Sequence, residues 1–495
     1  MPAPTPTKDV RDLICGGDLA AQFDLLLLNA PLRDYDLRER VNENTLPVLG
    51  MAYIATTATA AGYNCAVLDA EASGLGIAQT AEIVNRLGPR WVGMNLLAPT
   101  FEMSATITAQ LDPAINIMLG GHQAKAMPGP ILMDPRMRRC EALVIGEAET
   151  RVPELLRDLS NRRILPKVMW RDKLLNQPVS GAGDESHMAP DINAMPLVDR
   201  TYLVQDPRIV GGRNQANVCG ARGCPYQCSF CGAAQKFNKD VTIRVRTADS
   251  ILAEVHDLRD RYDVTSFRFI DDLFLGVHSV ITEMSEAFER EGVGEWAVWD
   301  ATGRLNVLDR LTDQELDLLH VCGLREVALG VESGSATMLK QIDKRIDPEM
   351  TIRVVRRLAE RGISVKGYFI FGLVGESRQQ MIQTEAMVYR LWELTEDLPG
   401  NFTASAFEFR PYPGTPDWQK LMATGRFTAE QLLDYRPIDL TGAGSDELMI
   451  ERDQFNFGVG VDLSECSKDE IRAALTRVSR DQHARNRAMA LAPAA

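Results

Sequence analysis

The chain has 495 residues, of which 45% are hydrophobic and 25% charged, with 37 Gly and 25 Pro. That is the balance of an ordinary globular protein and excludes collagen-like and wholly disordered readings. Acidic residues (68) outnumber basic ones (54) for a net charge of −14, with no long Lys/Arg run, which speaks against a nucleic-acid partner. No apolar run nears the ~18 residues of a membrane span, and the polar start of the chain has no signal-peptide core, so a cytoplasmic protein without a membrane partner is expected.

From residue 24 onward, short apolar runs alternate with helix-like segments. Strands are expected at 24–29, 65–69, 91–95, 115–120 and 142–145, with helices at 50–61, 77–87 and 103–111. Five such strands with helical crossovers predict a doubly wound, Rossmann-like parallel sheet, covered on both faces. Ligands of these sheets bind beyond the carboxyl ends of the strands. The loops at 30–44, 70–74, 96–100, 120–122 and 146–147 are therefore the candidate site. Residues 160–213, rich in Pro, Gly, Asn and Asp, read as a linker.

A second alternation follows, with strands expected at 214–218, 266–270, 297–301, 326–330, 365–371 and 404–409. Thr312/Glu315 and Ser377/Gln380 are capping-box pairs, and Asp347-Pro348 places Pro at a first helical position. Six β-α units predict an open, partial (β/α)6 barrel with its site at the carboxyl ends of the strands. A last capped helix is expected from Ser467, followed by a frayed tail. The expected division is a tail over 1–20, the doubly wound domain over 21–160, a linker over 161–213, the barrel over 214–430 and a small helical segment over 431–495.

The nine cysteines do not look like a disulfide framework. Cys15, Cys65, Cys140, Cys322 and Cys466 are scattered, and read as small buried hydrophobes. Four others lie between 219 and 231. After the first barrel strand, GARGCPYQCSFCG sets Cys224, Cys228 and Cys231 in a C-x3-C-x2-C spacing on a loop. Three thiolates this close suit zinc, for which Cys219 is the nearby fourth ligand, or an iron–sulfur cluster, which three cysteines would leave with one open iron. Tyr226 and Phe230 would shield such a cluster from water.

This stretch resembles the radical S-adenosylmethionine (SAM) enzymes, whose three cysteines in this spacing bind a [4Fe-4S] cluster with an open iron that chelates SAM. The likeness continues at FIDDLF, with Asp271 and Asp272 where the family positions the SAM amino group. It extends through Arg304, through Glu332 and Ser333 of GVESG, through Gly372 and Glu376 of FIFGLVGES, and through Arg410 and Tyr412 of FEFRPYPGTP. Val374 stands where relatives commonly carry Pro. The preceding domain, with LLLLNAP, LPVLGMAYIA, LGG and IGEAET in order, resembles the cobalamin-binding subclass.

That resemblance implies cobalamin near Leu97, Thr100, Gly120, Gly121, His122, Gly146 and Glu147. The D-x-H-x-x-G motif that supplies an axial His elsewhere is absent, so a His-free lower face is expected. It implies SAM near Phe230, Glu332, Ser333, Gly372 and Glu376. Asp271, Asp272, Arg304, Arg410 and Tyr412 then line the reaction centre between the two domains. Asp271 and Asp272 read equally as helix caps, and Arg304 and Arg410 as surface ion pairs.

The implied activity is C-methylation of an unactivated carbon. One SAM methylates reduced cobalamin, and another is cleaved to a 5′-deoxyadenosyl radical. The substrate would be a small metabolite or natural-product intermediate, free or tethered to a carrier protein, as in antibiotic biosynthesis. Electrons would come from an external donor of the flavodoxin or ferredoxin type. The rival readings are a non-methylating radical oxidoreductase, cyclase or rearrangement enzyme, a tRNA methylthiotransferase, and a cobalamin or redox sensor.

Overall fold

The computed structural model describes residues 9–37, 39–40, 46–183, 191–234, 243–437 and 457–491. The chain separates into two units, residues 1–206 and 207–495.

The first unit is built on an eight-stranded sheet. Its strands are β1 (Ile14–Cys15), β2 (Leu25–Asn29), β3 (Cys65–Asp69), β4 (Trp91–Asn95), β5 (Asn116–Gly120), β6 (Cys140–Val144), β7 (Val168–Asp172) and β8 (Gln177–Ser180). The order is β1-β3-β2-β4-β5-β6-β7-β8, with β3-β2-β4-β5-β6 parallel. The run LLLLN of β2 is buried on both faces because helices cover both sides of the sheet. Ile83 and Val84 of helix Ile77–Leu87 and Ala105 and Ile107 of helix Phe101–Gln110 pack against Leu26, Leu28, Val92 and Ile117. Numbering the parallel strands in chain order gives 2-1-3-4-5, the flavodoxin-like order, whose topological switch falls between β2 and β4.

Two boundaries differ from expectation. The stretch read as a linker contains β7 and β8, an antiparallel hairpin joined to β6. Its Asp and Asn serve a turn: Asp172 Oδ1 accepts the Leu174 and Leu175 N–H groups, and the Arg162 guanidinium lies 4.8 Å over Trp170. The expected tail contains β1, which pairs antiparallel with β3. The strands β1 and β8 are the two edges of this sheet, with two and four residues.

The second unit has a seven-stranded sheet. Its strands are β9 (Arg208–Val210), β10 (Arg213–Val218), β13 (Ser266–Phe269), β14 (Val298–Gly303), β15 (Leu324–Glu332), β16 (Ser364–Phe371) and β17 (Phe402–Glu408). Between β10 and β13 lies a ribbon of β11 (Ala221–Arg222) and β12 (Arg244–Val245), and β18 (Tyr435–Pro437) pairs with β19 (Phe457–Val459) beyond the barrel. The order β17-β16-β15-β14-β13-β10-β9 contains six parallel strands, the half-closed barrel that the sequence predicts. The last linker residues instead form β9, turned onto β10 by Gly211-Gly212 at φ +55° and +78°, a two-residue hairpin signal.

The strand β16 alternates along its whole length. Along β16, Val365, Gly367, Phe369 and Phe371 are buried, while Ser364, Lys366, Tyr368 and Ile370 are half-buried on the opposite face. Thr312/Glu315, Ser377/Gln380 and Asp347-Pro348 start their helices as expected. The helix expected from Ser467 runs Lys468–Leu491, and its Ser467/Glu470 pair forms the reciprocal cap bonds. The frayed tail at 492–495 lies outside the described residues.

That helix covers the free edge of β17. Gln482 Oε1 accepts the Trp392 indole N–H at 2.9 Å and the Ala404 backbone N–H at 2.6 Å. Without it two donors lose their acceptor, at roughly 1–3 kcal/mol for each one left buried and unmet. Gln482→Ala should therefore lower the barrel's thermal unfolding midpoint by several degrees, read by circular dichroism, whereas substitution of exposed Arg472 should leave it unchanged.

Candidate functional site

The three cysteines occupy an irregular loop after β11, half-buried at Cys224 and Cys231 and buried at Cys228. The segment that leads into it starts at Gly220, just before β11, where a Cβ would fall 2.3 Å from the Phe274 ring, so no larger residue fits. Phe274 stacks on Phe269 at 3.9 Å, which folds the segment after β13 back over this start. Asp271, buried in the fold-back, accepts the Gly220 N–H at 3.1 Å and the Ala221 N–H at 2.8 Å. Burial pushes its carboxyl up to about 7, against the pull of those donors. Asp271, expected at the SAM amino group, is thus committed to the cysteine loop. Asp272, its exposed neighbour, is near enough to Cys224 and Cys231 to push both thiols up, after burial itself, with Cys231 at about 12.

Further along, the Ser229 N–H donates to Ile342 O at 3.0 Å, and its hydroxyl donates to Asp417 Oδ2 at 2.8 Å. Arg304 is buried and stacks on Tyr226, its guanidinium carbon 3.7 Å from the ring centroid. Its Nη1 donates to Cys228 Sγ at 3.5 Å, its Nη2 to Lys344 O, and its Nε to Asn306 Oδ1 at 3.2 Å. Arg304 is therefore neither a surface ion pair nor a group turned toward an open pocket, because its donors are taken by Cys228, Asn306 and the Lys344 carbonyl.

Lys344 in turn pairs with Glu332 at 2.6 Å, both buried. Glu332 adopts φ +64° at an irregularity of β15, a left-handed conformation costly for a side chain of this size. Ser333 shares a 2.8 Å hydroxyl bond with Thr384. Glu376 is fully buried, accepts the Gly372 N–H at 2.7 Å through Oε2, and has no partner for Oε1 among the described residues. Arg410 and Tyr412 are half-buried, with Arg410 5.8 Å over Tyr412, which stacks on Tyr435. Phe230 is half-buried in the cysteine loop.

The cysteine loop is chemically suited to a thiolate-ligated cluster. Two hydrogen-bond donors point at its sulfurs, Arg304 Nη1 at Cys228 and the Ala233 N–H at Cys231 (3.4 Å), as anionic thiolates require. Among the described residues no three His, Cys, Asp or Glu side chains converge as they would on a single metal ion. A four-iron cluster takes each thiolate on a different iron and needs no such convergence. Cys219 is turned away from this set, its thiol toward Ala221 O at 3.4 Å.

In the first unit the expected cofactor residues sit on adjacent loops, after β4 (Leu97, Thr100), β5 (Gly120, Gly121, His122) and β6 (Gly146, Glu147). Thr100 is buried and bonded to the Leu97 backbone, and His122 is exposed. Gly121, at φ +91°, is tight against its neighbour strand: a Cβ would fall 2.1 Å from Asn95 Oδ1. Two buried side chains escaped the sequence reading. Arg151 holds the β6 loop through Ile145 O and Pro166 O, both at 2.8 Å. Gln123 keeps a buried Oε1 without a partner among the described residues, one turn into helix Gly121–Ala126, an unmet acceptor that suits a cofactor amide. Glu71, which accepts from Leu32 N and Tyr35 Oη, organises the loop after β2.

Residues 218–388 match the radical SAM superfamily and residues 40–156 match the B12 binding domain. The barrel strands β13 to β16 lie within the first of these matches and the parallel strands β3 to β6 within the second. The B12 binding match thus lies ahead of the radical SAM match in the chain. An uncharacterised methyltransferase of Pyrococcus horikoshii is 25% identical over 81% of this chain and 84% of its own length. An anaerobic magnesium-protoporphyrin IX monomethyl ester cyclase of Rubrivivax gelatinosus is 26% identical over 69% of this chain and 61% of its own. The solved structure of the radical SAM methyltransferase TsrM from Kitasatospora setae, with cobalamin and [4Fe-4S] cluster bound, shares the fold at a TM-score of 0.59 and 16% identity, over 82% of this chain and 76% of that one.

The buried carboxyls carry a pH signature. Burial lifts Glu376 from 4.5 to about 7, so the folded protein holds a proton that the unfolded chain has released. The stability this adds is full below pH ~4.5 and is lost as pH rises through 7. Asp271, raised from 3.8 to about 7, has the same sign. Glu376→Gln, which keeps the acceptor for Gly372, should flatten the fall in stability between pH 5 and 7.5, as measured by urea unfolding at fixed salt.

Proposed function

We propose that this chain is a cobalamin-dependent radical SAM C-methyltransferase acting on an unactivated carbon of a small molecule. The observation that carries this reading is the pairing of two domains: a three-cysteine loop with donors aimed at its sulfurs at the carboxyl end of a partial barrel, and a flavodoxin-like B12 binding domain before it. The methyltransferase names of the Pyrococcus relative and of the Kitasatospora structure favour methyl transfer.

Cys224, Cys228 and Cys231 are the residues that would hold the cluster, and the loops after β4, β5 and β6 those that would hold cobalamin. When bound, these groups supply one-electron cleavage of SAM and a transferable methyl group. The protein's own task is placement and exclusion of water. Asp271 and Gly220 fix where the cysteine loop begins, while Ser229 with Asp417 fixes its far side. Tyr226 stacks on Arg304, whose Nη1 reaches Cys228. The Glu332–Lys344 pair holds the strand end behind it.

The substrate class is inferred from charge: at −14 the chain offers little counterion release to a polyanion such as tRNA. A free or carrier-tethered small molecule fits better, with a flavodoxin or ferredoxin type protein as electron donor. Among the described residues no helix is long and apolar enough to cross a membrane. A second reading, a non-methylating cyclase, is favoured by the Rubrivivax relative.

Anaerobic protein should contain about four iron and four sulfide per chain. Cys224→Ala, Cys228→Ala or Cys231→Ala should abolish this content and Cys219→Ala should not; colourless protein with one zinc would defeat the cluster assignment. With SAM bearing a labelled methyl group, label should reach the product alongside S-adenosylhomocysteine and 5′-deoxyadenosine. Product with 5′-deoxyadenosine but without S-adenosylhomocysteine would select the cyclase-type reading.

A further inference from the structure

Arg304 is a buried cation whose compensation is missing. No carboxylate pairs with it among the described residues: its donors go to a sulfur, a backbone carbonyl and a side-chain amide, and its face lies on Tyr226. The other cation nearby, the Lys344 ammonium, is already matched by Glu332. A desolvated charge of this kind is strongly unfavourable unless an anion lies next to it. The group within reach is Cys228 Sγ, at 3.5 Å.

We propose that Arg304 is a positioning residue that raises the reduction potential of the cluster, by holding a fixed positive charge and a hydrogen-bond donor against the Cys228 sulfur. The proposal rests on the reading of Cys224, Cys228 and Cys231 as cluster ligands. One-electron reduction adds a negative charge to the cluster, with the electron supplied by an external low-potential donor. A cation and an N–H at a ligating sulfur stabilise that added charge more than they stabilise the oxidised form. Burial strengthens the effect, because water does not screen the guanidinium at this depth. Asn306 and the Lys344 carbonyl hold two edges of the fork, so that the third meets sulfur, while Tyr226 fixes its plane. An ordinary structural role would need none of this aim: an arginine that only braced the loop could turn its Nη donors to carbonyls, as Arg151 does in the first unit.

The test uses the full chain, reconstituted anaerobically and titrated with dithionite without SAM, with the reduced cluster followed by electron paramagnetic resonance. In Arg304→Gln, at native iron and sulfide content, the ratio of reduced to oxidised cluster at the native midpoint should fall at least tenfold, a drop of about 59 mV for one electron. Asn306→Ala, which frees one edge of the fork, should move the midpoint the same way by less. An unchanged midpoint in Arg304→Gln with full iron would overturn the proposal. If Arg304→Gln does not retain iron, Arg304→Lys and Asn306→Ala decide: a lowered midpoint in either supports it, and native midpoints in both overturn it. Native protein without iron and sulfide would instead defeat the cluster reading itself, a distinct result.

Discussion

An irregular loop has to present three thiols in a fixed arrangement, and it has no ladder of its own with which to do so. Its backbone is instead fixed from outside, by groups that the barrel strands bring to their carboxyl ends. Asp271 after β13 takes the N–H groups of Gly220 and Ala221, Arg304 after β14 reaches Cys228, and Ile342 and Asp417 grip Ser229 from two further elements. Each contact spans at least 50 residues of sequence, so the loop acquires its shape only when the sheet is assembled in register. The strained Glu332 belongs to the same scheme, because the Lys344 that it pairs with carries the carbonyl that Arg304 uses.

Much of this architecture is legible in the sequence. Buried parallel strands read as continuous apolar runs, and 65–69 and 91–95 coincide with β3 and β4. Helix starts are equally plain, because Ser, Thr or Asp followed by Glu or Gln describes a local bond that needs no tertiary context. What escaped is what depends on neighbours. The strands β1, β7, β8 and β9 are antiparallel additions to the parallel sheets, and they exist because a strand was available to pair with. In β7 and β8 the turn chemistry of Asp172 and Asn176 looked like a linker.

The site shows the same divide. The cysteine spacing points to soft-metal chemistry unaided, and the motifs at the strand ends place the reaction centre on one face. The direction of each side chain was not readable. Asp271 and Arg304 were taken as groups that face the reactants, whereas both turn back onto the loop that carries the cysteines. An aspartate after a strand and an aspartate that caps a neighbouring loop are the same letters, and only the fold-back held by the Phe269–Phe274 stack distinguishes them. Lys344 and Asp417 carried no motif at all, and Ser229 stood unremarked inside the cysteine motif.

The covering of β17 by Gln482 has a consequence for how the chain is made. Ala404 and its acceptor are 78 residues apart. During synthesis at ~5–20 residues per second, the last strand of an open barrel therefore waits several seconds with its outer edge bare. Through that interval the strand offers a row of unpaired backbone groups to any extended chain nearby, and only the arrival of the helix closes the opportunity. Interrupted or slowed translation in the stretch before Gln482 would thus expose nascent chains to self-association that the finished protein does not suffer.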